Sequence, residues 1–251
     1  MNIIDRLLAS LQTDAPVREV RMGAFWTAIV LDTAPPRCGL ASTLRGEEHE
    51  GPPVRDAGRL LERSALELAA LLRSESPVEA SIGMAAVNAL LEVDEEACVV
   101  INAEEVIIEK GAAKKVAIVG HFPFIPRVRR VVGTLWVLEQ RPREDDLPAE
   151  AAPEIIPQAD VVAITGTALI NHTFEELVAL CRPEVYVLVL GGSAPLSSLL
   201  FDYGADAIAG TRVIDVPAVL RAVSQGATFR QIPGKRLLTM TKVESRMRST
   251  R

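Results

Sequence analysis

From residue 111 onward, short and wholly apolar runs alternate with helical or turn segments, and no other feature constrains the fold as much. The runs fall at 116–119, 134–138, 161–165, 185–190 and 207–209, with helical or turn patterns at 125–132, 149–156, 174–180, 196–203 and 216–223. Strands without a polar face are covered on both sides, and strand–helix alternation lays them parallel. The expected fold class is therefore α/β, with a Rossmann-like parallel-sheet domain over residues 111–251. Residues 1–110 read differently. Ile3, Ile4, Leu7, Leu8 and Leu11 recur at helical spacing, and strand-like runs follow at 17–22 and 25–31, joined through Gly23. A stretch rich in Pro, Gly and charge at 33–58 holds a short third strand at 38–42. Helical patterns at 57–72 and 77–91 close this half, the latter with Ser76 as cap and Pro77 in its first turn. Strands first and helices after make a small α+β domain.

Charge is unevenly placed. Residues 1–110 carry 19 acidic and 10 basic side chains, net −9, and residues 111–251 carry 14 and 17, net +3. The overall charge of −6 argues against a nucleic-acid partner. The more positive half suits an anionic ligand, or else it is simply a solvated surface. Opposite net charges would also draw the two domains together. Cys38, Cys98 and Cys181 lie far apart without a CxxC pair, which argues against a disulfide framework and a structural zinc site. No apolar run approaches the ~20 residues that span a bilayer, and the N-terminus reads as an amphipathic helix. The expectation is a cytoplasmic protein without a membrane partner, assembled as a homodimer like many of its size.

Open parallel sheets bind ligands outside the carboxyl ends of their strands. The residues placed there are Gly120-His121-Phe122, Glu139-Gln140-Arg141, Thr165-Gly166-Thr167, Gly191-Gly192-Ser193 and Gly210-Thr211-Arg212. Turn chemistry accounts for any one of these loops; the five together point to a binding crevice. The candidate ligand-binding set is Gly120, His121, Phe122, Glu139, Thr165, Gly166, Thr167, Asn171, Gly191, Gly192, Ser193 and Thr211. Ser193 also fits a helix cap ahead of Pro195. The first strand opens like a dinucleotide turn but continues HFPFIP, so Phe122, Pro123 and Phe124 stand where a pyrophosphate needs bare backbone. Glu139 follows Gly120 by nineteen residues, where a ribose-binding acid would lie; alternatively it pairs with Arg141 or Arg143. The cofactor expectation is a transition metal at His121 or an adenosine-type ligand without a tightly held pyrophosphate.

His121 and His172 could act as metal ligands, as acid–base groups or as structural hydrogen-bonding residues. Neither has HxH or HxxxH spacing, and Thr173 with Glu176 reads as a capping box behind His172. His49 is flanked by Glu47, Glu48 and Glu50 in a charged loop that either holds a cation loosely or is solvated. No GxSxG elbow, Walker loop or Cys–His pair is present.

The segments PVEASIGMAAVNALL, VGHFPFIPRVR, LWVLEQRPREDDLP, ADVVAITGTALINHTFEELV and VLVLGGSAPLSSLLFDYGADAIAGTRV resemble a family of uncharacterised prokaryotic proteins described as "putative heavy-metal chelation". The resemblance spans nearly the whole chain. It implies an enolase-N-terminal-like first domain, a Rossmann-like second domain and the handling of a metal or metal chelate. It carries no established catalytic residues. The resulting expectation is a small-molecule partner, anionic or metal-chelating, held between the domains. A transferase using an adenosine-type cofactor such as S-adenosylmethionine, with Glu139 on the ribose and His121 as acid or base, is one alternative; a non-catalytic metal-buffer or regulatory module is another. The 33–58 stretch is a candidate lid whose Arg37, Cys38, Arg45 and His49 would reach the crevice, or a surface loop that touches nothing.

Overall fold

The computed structural model describes residues 1–46 and 53–242. The first unit runs α1 (Ile3–Ala9), β1 (Val17–Met22), β2 (Trp26–Leu31), β3 (Arg37–Ser42), α2 (Ala65–Ala69) and α3 (Pro77–Leu90). Asn2 caps α1 by accepting from the Asp5 amide, and Ser76 accepts from the Glu79 amide ahead of Pro77. β1, β2 and β3 form an antiparallel sheet in that order, and the Gly23 N–H closes the first turn onto the Trp26 carbonyl at 2.8 Å. The single helix expected over 57–72 is replaced by α2 between two 3-10 turns. Ser64 and Glu67 build a capping box that restarts the helix at Ala65.

The second unit runs β4 (Cys98–Val99), α4 (Ala103–Gly111), β5 (Lys115–Val119), α5 (Ile125–Val128), β6 (Thr134–Glu139) and β7 (Leu147–Pro148). It continues with α6 (Ala152–Ile155), β8 (Val161–Thr165), α7 (Thr167–Ile170), α8 (Phe174–Ala179) and β9 (Tyr186–Leu190), and ends with β10 (Ala207–Val213), α9 (Val216–Ser224) and β11 (Lys235–Thr241). Its eight strands lie in the order β4-β11-β10-β9-β8-β5-β6-β7, with β11 alone antiparallel to its neighbours. The chain builds outward from β5 to β7, then returns to the other side of β5 to lay down β8, β9 and β10, so the strand order reverses between β5 and β8. This is the expected α/β fold. Because β4 and α4 already belong to the second unit, that unit starts after α3 and ahead of residue 110.

The largest core is continuous through both units, joining Ile29, Leu31, Met84 and Val87 to Ile164, Leu169, Val189 and Leu196. A second core fills the opposite face of the large sheet, where Val106 and Ile107 of α4 and Ile125 and Val128 of α5 pack on Val116, Ile118 and Leu190. The third lies on the outer face of the small sheet. There Ala28, Val30, Cys38 and Leu40 are covered by Val219 and Val223 of α9, an amphipathic helix contributed by the second unit. Every residue of β2 is buried as a result. An antiparallel strand therefore carries the continuous apolar run more usual for a parallel one.

Glu79, at the first turn of α3, is buried yet charged. It accepts from the Arg55 backbone amide at 2.8 Å, the Arg55 guanidinium at 2.9 and 3.0 Å and the Ser74 hydroxyl at 2.6 Å. The Arg55 guanidinium beside it, helped by Ser74 and the Arg55 amide, outweighs burial and draws its carboxyl from the ordinary 4.5 to about 2. A depressed folded-state pKa stabilises fully above the ordinary value and is lost as pH falls through the lower one. Glu79→Gln should lower stability at neutral pH by about 1–3 kcal/mol, the worth of bonds to a charged group. Its melting temperature should also decline less steeply than that of the wild type between pH 5 and pH 2. Parallel wild-type and variant curves of melting temperature against pH would refute this role.

Candidate functional site

The carboxyl ends of β5, β6, β8, β9 and β10 open on a cavity of about 570 Å³ at the point where strand order reverses. Trp26 at the start of β2, Ser42 at the end of β3 and Leu44 beyond it roof the cavity from the first unit. The first turn of α4, Leu237 and Leu238 of β11, and Phe229 with Arg230 complete the walls.

Eleven of the twelve candidate residues line this cavity: Gly120, His121, Phe122, Glu139, Thr165, Thr167, Asn171, Gly191, Gly192, Ser193 and Thr211. Gly166 does not, because it faces the backbone of Ala194, whose amide nitrogen would lie 2.4 Å from any Cβ there. The other strand-end glycines serve a purpose that composition did not suggest. Gly120 and Gly191 take left-handed turns, φ +104 and +110, and the Phe122 ring lies against both. A Cβ on Gly192 would fall 2.6 Å from Phe229 and 2.7 Å from Trp26. These glycines admit aromatic rings where a dinucleotide fold admits phosphate. Four of the ten aromatic residues line the cavity, with Trp26 and Phe229 in contact at 4.9 Å between centroids and Phe122 stacked on Phe124 at 5.1 Å. Sequence reasoning missed Trp26 and Phe229 because both lie far along the chain from the loops they cover.

His121 is held by a partner equally hidden from sequence reading. Its Nδ1 lies 2.9 and 3.2 Å from the carboxylate oxygens of Asp146, whose side chain is only 2% exposed and also accepts the Arg143 amide at 3.1 Å. Burial works to raise the Asp146 carboxyl, but the Arg143 amide, the His121 ring and the Arg143 charge prevail and hold it below the ordinary range. In a neutral ring, the Asp146 carboxylate favours the tautomer that donates from Nδ1, in which Nε2 is the acceptor. Only the run Glu144-Asp145-Asp146 hinted at this residue, and nothing in its spacing singles out Asp146. Glu139 pairs with neither Arg141 nor Arg143; it accepts the backbone amides of His121 and Gln140, each at 2.9 Å, and so fixes the loop after β5.

The remaining polar residues divide between ties and free groups. Ser193 caps no helix: its Oγ accepts from the Ser42 amide at 2.8 Å and donates to the Ser42 hydroxyl at 3.1 Å. Asn88 donates to the carbonyls of Leu40 and Ser193 at 2.8 and 3.3 Å, joining the units at the cavity edge. Thr165 and Thr167 bond each other through their hydroxyls at 3.0 Å. With its amide oriented to satisfy both ends, Asn171 accepts from Gln140 Nε2 at 3.2 Å and donates to the Ala168 carbonyl at 3.0 Å. The Thr211 hydroxyl is buried without a partner. His172 lies outside this cavity, at φ +61, and bonds the Leu72 carbonyl at 2.7 Å as another tie between units. Thr173 makes no capping bond, so the expected capping box is absent.

The described part of the 33–58 stretch is a strand and its exit. Arg37 donates to the carbonyls of Leu90 and Leu91 at the end of α3, Cys38 is buried, and Arg45 is exposed outside the cavity lining. Leu44 reaches the cavity instead, and His49 lies outside the described residues.

Family models described as "putative heavy-metal chelation" match residues 102–242 (DUF364) and 4–91 (DUF4213). The chain belongs to the DUF364 family. An uncharacterized protein of Methanocaldococcus jannaschii is 28% identical over 157 residues, covering 57% of this chain and 58% of that protein, less than two thirds of its length. A crystal structure of a DUF364 protein of unknown function from Desulfitobacterium hafniense is 25% identical, with a TM-score of 0.83 over 96% of this chain and 98% of that one. Another, from Pyrococcus horikoshii, shares the fold at 17% identity and a TM-score of 0.77, over 96% and 98% of the two chains.

Set against the DUF364 description, the donor inventory is sparse. Among the described residues no group of three His, Cys, Asp or Glu could hold a metal ion, and no helix is long and apolar enough to cross a membrane. Burial pushes the Cys38 thiol to about 12 and the Cys181 thiol to about 11, and raises that of Cys98. None of the three lines the cavity.

The packing of rings on Gly192 is directly testable. Gly192→Ala should displace Trp26 and Phe229, shifting tryptophan emission to the red and costing about 1–3 kcal/mol. Unchanged emission and an unchanged melting temperature would contradict the contact.

Proposed function

We propose that this DUF364 chain binds a small anionic or metal-chelating metabolite in the cavity between its two units, as its part in heavy-metal chelation. The observation that carries the reading is the cavity itself, roofed by one unit and floored by the strand ends of the other where strand order reverses. Parallel-sheet proteins bind ligands at that place, and the volume falls within the 300–1,000 Å³ or so usual for small-molecule sites. Trp26, Phe122 and Phe229 offer apolar faces, while Thr165, Thr167 and Asn171 offer polar groups that would orient a ligand. Arg230 on the rim has no ion-pair partner among the described residues and suits an anionic group. The orphaned Thr211 hydroxyl supports the reading further, since buried polar groups are nearly always bonded to something. An adenosine-type cofactor is less well supported, because both oxygens of Glu139, the residue it would use on the ribose, are taken by the backbone amides of His121 and Gln140.

The test is native mass spectrometry of protein taken directly from its own cells. Wild-type protein should carry a small-molecule adduct, and Ala209→Trp, which fills the cavity from β10, should lack it while keeping its circular dichroism. Thr211→Val should leave the melting temperature of the unliganded protein unchanged or slightly higher, since the lost hydroxyl had no partner. It should weaken ligand retention by roughly 2–10-fold, the worth of one hydrogen bond. An adduct that survives in Ala209→Trp would refute the assignment of this cavity.

A further inference from the structure

Chelation needs donor atoms, and the described residues offer too few for a bare ion. The three thiols lie outside the cavity and are held protonated by burial. The Glu139 oxygens each accept a backbone amide, and Asp146 is turned onto His121 and Arg143. Glu104, also on the wall, is paired with Arg127, and what remains is the imidazole of His121, whose Nε2 has no partner among the described residues. Its setting is that of a metal-binding imidazole, because a carboxylate on Nδ1 fixes the ring and raises its donor strength. Yet a single imidazole does not retain a divalent ion, for which protein sites use three or four ligands.

From this disagreement we infer that the metal enters the cavity already wrapped in a small chelator, and that His121 Nε2 supplies the one protein ligand, with Asp146 as its positioning residue. The inference rests on the cavity being the ligand site. The ligand class is a complex of a borderline first-row ion, Co²⁺, Ni²⁺, Cu²⁺ or Zn²⁺, with a polydentate carboxylate-bearing chelator. Imidazole suits these ions, and such chelators leave one or two coordination positions to water. The step is a ligand substitution: the metal–water bond breaks, the metal–Nε2 bond forms, one water leaves and no electron is transferred. Trp26, Phe122 and Phe229 would cover the chelator's carbon skeleton, while Arg230 and the threonine hydroxyls meet its carboxylate oxygens. The protein thereby recognises chelator and metal together and discriminates against either alone.

Electron paramagnetic resonance with Cu²⁺ complexes of nitrilotriacetate, iminodiacetate and citrate tests this on untagged full-length protein, beside calorimetry with each complex and each metal-free chelator. With at least one complex, wild-type protein should bind one equivalent and show the hyperfine pattern of one added nitrogen. His121→Ala should lose that nitrogen and regain it on addition of free imidazole, its melting temperature showing that it is folded. Asp146→Asn should weaken binding by about 10–100-fold. His49→Ala and His172→Ala should bind as wild type. The inference is overturned if the added nitrogen persists in His121→Ala or vanishes in His172→Ala. It is also overturned if wild-type protein shows no added nitrogen with any of the complexes. Calorimetric binding without the added nitrogen would overturn the His121 ligand and leave the cavity reading standing, whereas equal binding by Ala209→Trp would overturn the cavity reading itself.

Discussion

No part of β2 faces water, and the architecture follows from satisfying both of its sides. Ile29 and Leu31 pack into the core shared with α3, and Ala28 and Val30 pack under α9. A three-stranded sheet cannot cover itself, and each large apolar side chain left in water would forgo about 1.5–3 kcal/mol. The second unit supplies the missing cover, and docking α9 on the outer face carries Trp26 and Ser42 over the ends of the parallel strands. The roof of the cavity is thus a geometric by-product of burying a small sheet on both faces.

The direct contacts between the units are mainly apolar. Among the described residues, the ion pair of Arg6 with Asp202 between them is solvent-exposed on both sides, and such pairs contribute about 0–1 kcal/mol. Cohesion comes instead from a shared apolar core and from part-buried polar ties, such as Ser193 on Ser42 and Asn88 on the Ser193 carbonyl. These ties set the height of β3 above the loop after β9, so the cavity wall is held by hydrogen bonds with little freedom to slide.

How much of this was legible depends on whether a residue's partner lies nearby in the chain. The strands β5, β6, β8, β9 and β10 were readable because burial on two faces leaves an uninterrupted apolar run. β4 and β7 span two residues each, too short for any periodicity, and β11 mixes charged and apolar residues because only Leu238 to Met240 are covered. The α9 segment was readable as helical or turn and the three strands of the small sheet as strands, whereas their packing across some 190 residues of chain was not. The same division holds at the cavity. A rule of topology placed the strand-end loops, but Trp26, Leu44, Asp146 and Phe229 enter through folding alone. Gly192 was picked for closeness to a ligand and turns out to be shaped by two rings.

The position of α9 along the chain has a consequence for how the protein is made. The helix that shields Ala28, Val30 and Leu40 lies at Val216–Ser224, whereas the last strand of the small sheet ends at Ser42. During synthesis the small sheet can form early, but one face stays bare until the roughly 170 residues between Ser42 and Val216 have left the ribosome. At roughly 5–20 residues per second, that interval is on the order of ten seconds or more. Throughout it the nascent chain exposes a sticky apolar surface, so its success depends on escaping aggregation before α9 arrives.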